Sequence, residues 1–107
     1  MRRGEIWTVL TDGYASKPRP VIIIQNDEVP DFQSVVMCLL TSYDAGDIAT
    51  RVRIEPSSGN GLNKVSFAMT DKILSVERKV LGRKVGVLEG KTMRDIDKKL
   101  MVVLGLV

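Results

Sequence analysis

Lys17-Pro18-Arg19-Pro20-Val21-Ile22-Ile23-Ile24-Gln25-Asn26 is the stretch from which the rest of the chain is read. Val21 to Ile24 form an unbroken β-branched run, too short for a typical helix and suited to a strand buried on both faces. Pro18 and Pro20 bracket Arg19 and hold the backbone there extended. Arg19 therefore stands on a stiff mount at the mouth of a strand.

Upstream, Ile6-Trp7-Thr8-Val9-Leu10 predicts a strand within 3–10, and Thr11-Asp12-Gly13 a turn. Residues 13–18 read as a loop between two strands. Downstream, 26–33 is polar, contains Pro30 and reads as a loop. A third strand is predicted over 34–42, apolar on both faces until it emerges at Thr41. Residues 43–49 read as a loop with Asp44, Gly46 and Asp47. Arg51-Val52-Arg53-Ile54-Glu55 alternates as a half-exposed strand does. Residues 56–63, rich in Ser, Gly and Asn, read as a flexible loop. A strand over 65–74 bends near Asp71, 75–81 holds a short helical turn, and 82–88 is a last short strand.

The period then changes. Met93, Ile96, Leu100, Val103 and Leu104 fall at helical spacing, with Thr92 as N-cap and Asp95 completing a capping box. Five to seven strands followed by one helix predict a mainly β, α+β fold: a strongly bent antiparallel sheet or small barrel with a packed helix. At 107 residues, one domain over 1–107 is expected. A chain of this size buries about two-thirds of its unfolded surface, enough for one core.

Composition narrows the chemistry. Cys38 is the sole cysteine, which excludes an internal disulfide and suits a reducing, cytoplasmic setting. The chain has no histidine, so Ser-His-Asp, Cys-His and His-based metal chemistry are excluded. Apolar runs such as Val21–Ile24 and Leu100–Leu104 fall far short of the roughly 20 residues that span a bilayer. Net charge is +3 but uneven: −3 over residues 1–50 and +6 over 51–107. A basic second half suits an anionic partner such as RNA or an acidic polypeptide, or is a solvated surface.

Four segments, in this order, carry a resemblance. They are Arg3-Gly4-Glu5-Ile6-Trp7; the Arg19-Pro20-Val21 strand; Gly61-Leu62-Asn63-Lys64-Val65-Ser66 leading into Thr70-Asp71-Lys72-Ile73; and Leu81-Gly82-Arg83-Lys84-Val85-Gly86. Together they resemble the MazF/PemK-like toxins across nearly the whole chain. The resemblance implies a small SH3-like, CcdB-like barrel, usually a homodimer. It implies a sequence-specific, ribosome-independent endoribonuclease, the toxin of a type II toxin–antitoxin pair. RNA would lie in a groove across the dimer, a surface that the tail of an acidic antitoxin also occupies. Cleavage would need no metal or other cofactor: the 2′-hydroxyl attacks the adjacent phosphate, leaving a cyclic phosphate and a 5′-hydroxyl.

Arg19 matches the family's catalytic arginine. A guanidinium can hold a phosphate bidentately and stabilise the charge that builds on its oxygens. The plain alternative is a surface arginine paired with Asp27 or Glu28. Thr41 matches the family's catalytic Thr/Ser position, where a hydroxyl can donate to a non-bridging oxygen; a threonine satisfied by nearby backbone is the common alternative. Some members carry a glutamate shortly before the arginine, but residues 13–17 hold none, which leaves proton transfer without that group. Tyr14, beside Arg19, is the better candidate for stacking on a base, whereas Trp7 suits core or dimer packing. Lys17, Ser42, Ser58, Asn60, Lys72, Arg78 and Arg83 complete the expected RNA contacts, with Lys79 and Lys84 in the densest basic set.

Two other functions compete. CcdB-like proteins of the same fold poison gyrase and resemble ones with a tryptophan near the C-terminus, whereas the only tryptophan here is Trp7. The third is a barrel that binds RNA or an acidic peptide without catalysis.

Overall fold

The computed structural model describes residues 1–10, 18–30 and 33–107. Six strands appear among them: β1 Glu5–Val9, β2 Arg19–Ile23, β3 Ser34–Thr41, β4 Arg51–Ile54, β5 Ser66–Glu77 and β6 Leu81–Val87. A single 3-10 turn, Arg78–Val80, joins β5 to β6, and the helix α1 spans Gly90–Leu104. The strands form one antiparallel sheet in the order β4-β5-β3-β2-β1-β6.

Sheet position explains the sequence pattern. β2 and β3 lie in the middle, and both are covered above and below over their central residues, whereas Ser34 and Val36 at the start of β3 are exposed. Val21, Ile22 and Ile23 are all buried, as are Met37 and Cys38 side by side on β3. A continuous apolar run is what such a position requires. β4 is an edge strand, and there Val52 and Ile54 are buried while Arg53 is exposed.

Two apolar clusters result. On one face Ile6, Ile22, Cys38, Leu40, Val52, Ile54, Ala68 and Leu88 pack against Ile96 and Leu100 of α1. Arg3 ties helix to sheet, donating from Nε to the Ile24 carbonyl (2.9 Å) and from Nη2 to Asp97 (2.6 Å). On the other face Val9, Val21, Ile23, Val35 and Met37 gather Trp7, Leu39, Leu74, Val76, Val80 and Leu81 around them. Curling of the sheet covers this second cluster.

The curl has a local origin. Leu39 pairs with Met69 but Cys38 pairs with Ile73, so Thr70, Asp71 and Lys72 have no counterparts on β3. Such a bulge bends its strand and raises its twist. The bend expected near Asp71 is there, and β5 runs on past it to Glu77. The short helical turn expected over 75–81 is the three residues Arg78–Val80.

Two expectations are corrected. Thr92 is not the N-cap: α1 begins at Gly90 with Glu89 as N-cap, and no side chain caps it. The Glu89 carboxylate instead accepts from Ser57 Oγ (3.0 Å), which fastens the helix start to the β4–β5 connection. That connection is no open, flexible loop, because it packs tightly on β6. A Cβ on Gly86 would collide with the Asn60 backbone, and one on Gly61 (φ +69°) with the Val85 carbonyl. At its C-terminus α1 stops at Gly105 (φ +71°), where the Gly105 and Leu106 amides close back on Val102 and Met101.

Candidate active site

β2 and β3 bring Arg19 and Thr41 to one cleft at their ends. Val21 pairs with Leu39 and Ile22 with Cys38, and continuing that register to the strand ends sets Arg19 against Thr41. Directly opposed residues share a face, with Cβ atoms about 5 Å apart. The row continues through Val9 on β1 and Phe67 and Arg53 toward the far edge. Arg19 and Thr41, together with Pro18, Pro20, Leu40, Ser42 and Ser66, line a cleft of about 320 Å³. The two prolines read from the sequence as a stiff mount are thus part of the wall.

Arg19 is exposed and Thr41 half-buried. Asp27, one of the carboxylates considered for Arg19, instead accepts from the Arg3 amide (2.7 Å) and lies 3.8 Å from Arg2. The Thr41 oxygen accepts a hydrogen bond from the Tyr43 amide (3.1 Å). A hydroxyl that accepts from backbone keeps its own proton to donate elsewhere. Among the described residues the cleft is lined by a cation and by hydroxyls. Arg51 and Arg53, on the same sheet face as Thr41, add positive charge at the β4 edge.

The remaining expected contacts are scattered. Ser42 lines the cleft. Tyr14 and Lys17 lie outside the described residues. Ser58, Lys72 and Arg83 are exposed but line no part of this cleft. Arg78 borders a separate groove of about 640 Å³ with Met1, Trp7, Gln33, Glu77, Lys79 and Leu81.

Asn60 requires a correction. It is fully buried, and its side chain holds the loop rather than facing a ligand. Oδ1 accepts from the Ser57 and Leu62 amides (both 3.0 Å), and Nδ2 donates to the Glu55 carbonyl (2.8 Å). Asparagine bonding to nearby backbone is a common turn device.

Two residues at the site were missed. Ser66 was read as part of a resembling segment and given no role at the site; it enters the cleft because Thr41 pairs with Phe67, which brings Ser66 to the end of β3. Tyr43 was read only as the start of a loop, although it stands two residues past Thr41.

On the far side of the sheet face, Trp7 donates its indole N–H to Glu5 (2.9 Å), and Lys84 sits 3.1 Å from the same carboxylate. Burial pushes the Glu5 carboxyl up. The Trp7 indole, the Arg2 backbone and Lys84 together outweigh that, so its pKa lies below the usual value. The Cys38 thiol is pushed up to about 12 by burial, against a small opposing pull from Arg3, and is inert core as expected.

The model of the PemK-like, MazF-like toxins of type II toxin–antitoxin systems matches residues 2–104. The chain is 42% identical to the probable endoribonuclease MazF of Mycolicibacterium smegmatis, covering 99% of this chain and 98% of that protein. It is 30% identical to the endoribonuclease MazF of Staphylococcus saprophyticus, covering 99% and 92%. Its fold superposes at a TM-score of 0.82 on a mycobacterial endoribonuclease solved with its cognate antitoxin, at 26% identity and with 100% and 97% of the two chains covered. With the match running from Arg2 to Leu104 and the expected fold in place, the chain belongs to the PemK-like, MazF-like toxin family of type II toxin–antitoxin systems.

Proposed function

We propose that this protein is an endoribonuclease toxin that cleaves single-stranded RNA, in a sequence-specific manner, without ribosomes and without a metal. The observation that carries the reading is Arg19 and Thr41 facing one cleft from adjacent strands. The relatives named as endoribonucleases support it. They also weigh against gyrase poisoning and against binding without catalysis.

The scissile phosphate sits between the Arg19 guanidinium and the Thr41 hydroxyl. The 2′-oxygen attacks phosphorus and loses its proton as the O2′–P bond forms. The P–O5′ bond breaks, and the 5′-oxygen takes up a proton. A 2′,3′-cyclic phosphate and a 5′-hydroxyl result. Negative charge peaks on the non-bridging oxygens midway, where a preorganised guanidinium and a hydroxyl donor stabilise it most. Arginine is too weak an acid to serve readily as the base, so charge stabilisation is its role here.

We also infer a homodimer acting in the cytoplasm, with an acidic antitoxin as partner. Val36, Met101, Leu104 and Leu106 leave apolar surface exposed beside a groove of about 430 Å³ at the C-terminal end of α1. A second copy covering that surface would shield it from water. Among the described residues no helix is long and apolar enough to cross a membrane.

The test is a long, mixed-sequence RNA in EDTA with wild type or Arg19→Ala. Discrete cuts with 5′-hydroxyl ends, absent with the variant, are expected. Intact RNA with a folded wild-type protein would overturn the reading, and cuts surviving in a folded Arg19→Ala would remove Arg19 from it.

A further inference from the structure

Tyr43 is 71% exposed, and among the described residues it is the only aromatic side chain so open to solvent. Trp7 is half-buried with its N–H engaged, and Phe67 is half-buried between Thr41 and Arg53 in the sheet row. No hydrogen bond is made by the Tyr43 hydroxyl among the described residues. An aromatic ring that far out of the core gains most by covering itself with a ligand.

Its backbone is anchored beside the cleft. The Tyr43 main-chain amide donates to Thr41 Oγ1 (3.1 Å), which holds the start of the loop against that hydroxyl. Two residues of chain separate their Cα atoms by at most about 7 Å. The loop that follows is wound on itself. Asp44 Oδ1 accepts from the Gly46 amide (2.9 Å), the Ile48 amide closes on Gly46 (3.1 Å), and Arg51 on Ile48 (3.0 Å).

We propose that Tyr43 stacks on one of the two bases flanking the scissile phosphate and so positions the RNA for cleavage. This rests on the ribonuclease reading above. Tyrosine suits the task, since it offers a wide face with few torsions to freeze. Any base can stack on that face.

The experiment first maps the wild-type cuts in long RNA. A short RNA carrying that site is then made intact and with an abasic nucleotide on the 5′ or the 3′ side of the cut. The kcat/KM of wild type, Tyr43→Phe and Tyr43→Ala is measured on all three. Tyr43→Phe should stay within about 3-fold of wild type, while Tyr43→Ala should fall roughly 5- to 100-fold on intact RNA. One abasic RNA should slow wild type by a similar factor and slow Tyr43→Ala no further. An unchanged melting temperature for Tyr43→Ala separates this from misfolding. If wild type leaves RNA intact, the ribonuclease reading falls and takes this one with it. If wild type cleaves and Tyr43→Ala matches it, or if both abasic losses multiply with the substitution, the role of Tyr43 alone is overturned.

Discussion

The two faces of the sheet are built from the same strands and do different work. One is closed by α1, which lays Ile96 and Leu100 onto Ile6, Ile22 and Cys38. The other carries a row from Val9 through Arg19, Thr41 and Phe67 to Arg53. Along that row apolar packing gives way to charge and hydroxyl. Alternation along a strand makes this possible: Ile22 turns into the helix-covered core, whereas Arg19, an odd number of residues away, belongs to the other face. Adjacent residues can thus be given separately to stability and to chemistry.

That separation predicts substitutions with opposite signatures. Arg19→Ala should lower RNA cleavage by about 100- to 1,000-fold, or roughly 3–4 kcal/mol of transition-state stabilisation. Its urea midpoint should match wild type, because Arg19 is exposed. Cleavage rates alongside denaturation curves check both parts. Ile96→Ala should do the converse: a loss of about 3 kcal/mol of folding stability from a fully buried position, with cleavage per folded molecule retained. Equal damage to rate and stability from either substitution would break the comparison.

Thr41→Ala should cost about 10-fold in cleavage through one lost hydrogen bond to a charged oxygen, and Thr41→Ser should restore most of it. The smallest effect belongs to Glu5. Its folded pKa is depressed, so its contribution to stability is present above the ordinary carboxylate value of 4.5. That contribution fades as pH falls through the lower folded value. Glu5→Gln should flatten the acid limb of stability below pH 4.5 in a pH series of urea melts, with cleavage at neutral pH unaffected.

Much of the fold was readable because its signals are local. β-branched residues in a run, prolines around Arg19 and helical spacing from Met93 each act within one segment. Errors arose where partners are distant. Glu89 rather than Thr92 is the N-cap of α1, and Glu89 meets Ser57, 32 residues away. Asn60 sits in a stretch whose composition suggests solvent, yet β6 closes over it.

The candidate site divides in the same way. By itself the sequence determined that prolines flank Arg19, that a strand emerges from its apolar run at Thr41 and that no histidine can act as base. The resemblance, not the composition, joined Arg19 to Thr41 as a pair. Tertiary structure alone decided that Ser66 joins them and that Asn60 does not, and it left the ring of Tyr43 in solvent. Local propensity sets what a segment becomes and which of its faces is apolar. Which segments then meet depends on strand order, on pairing register and on the three unpaired residues of β5, all of which exist only once the chain has closed on itself.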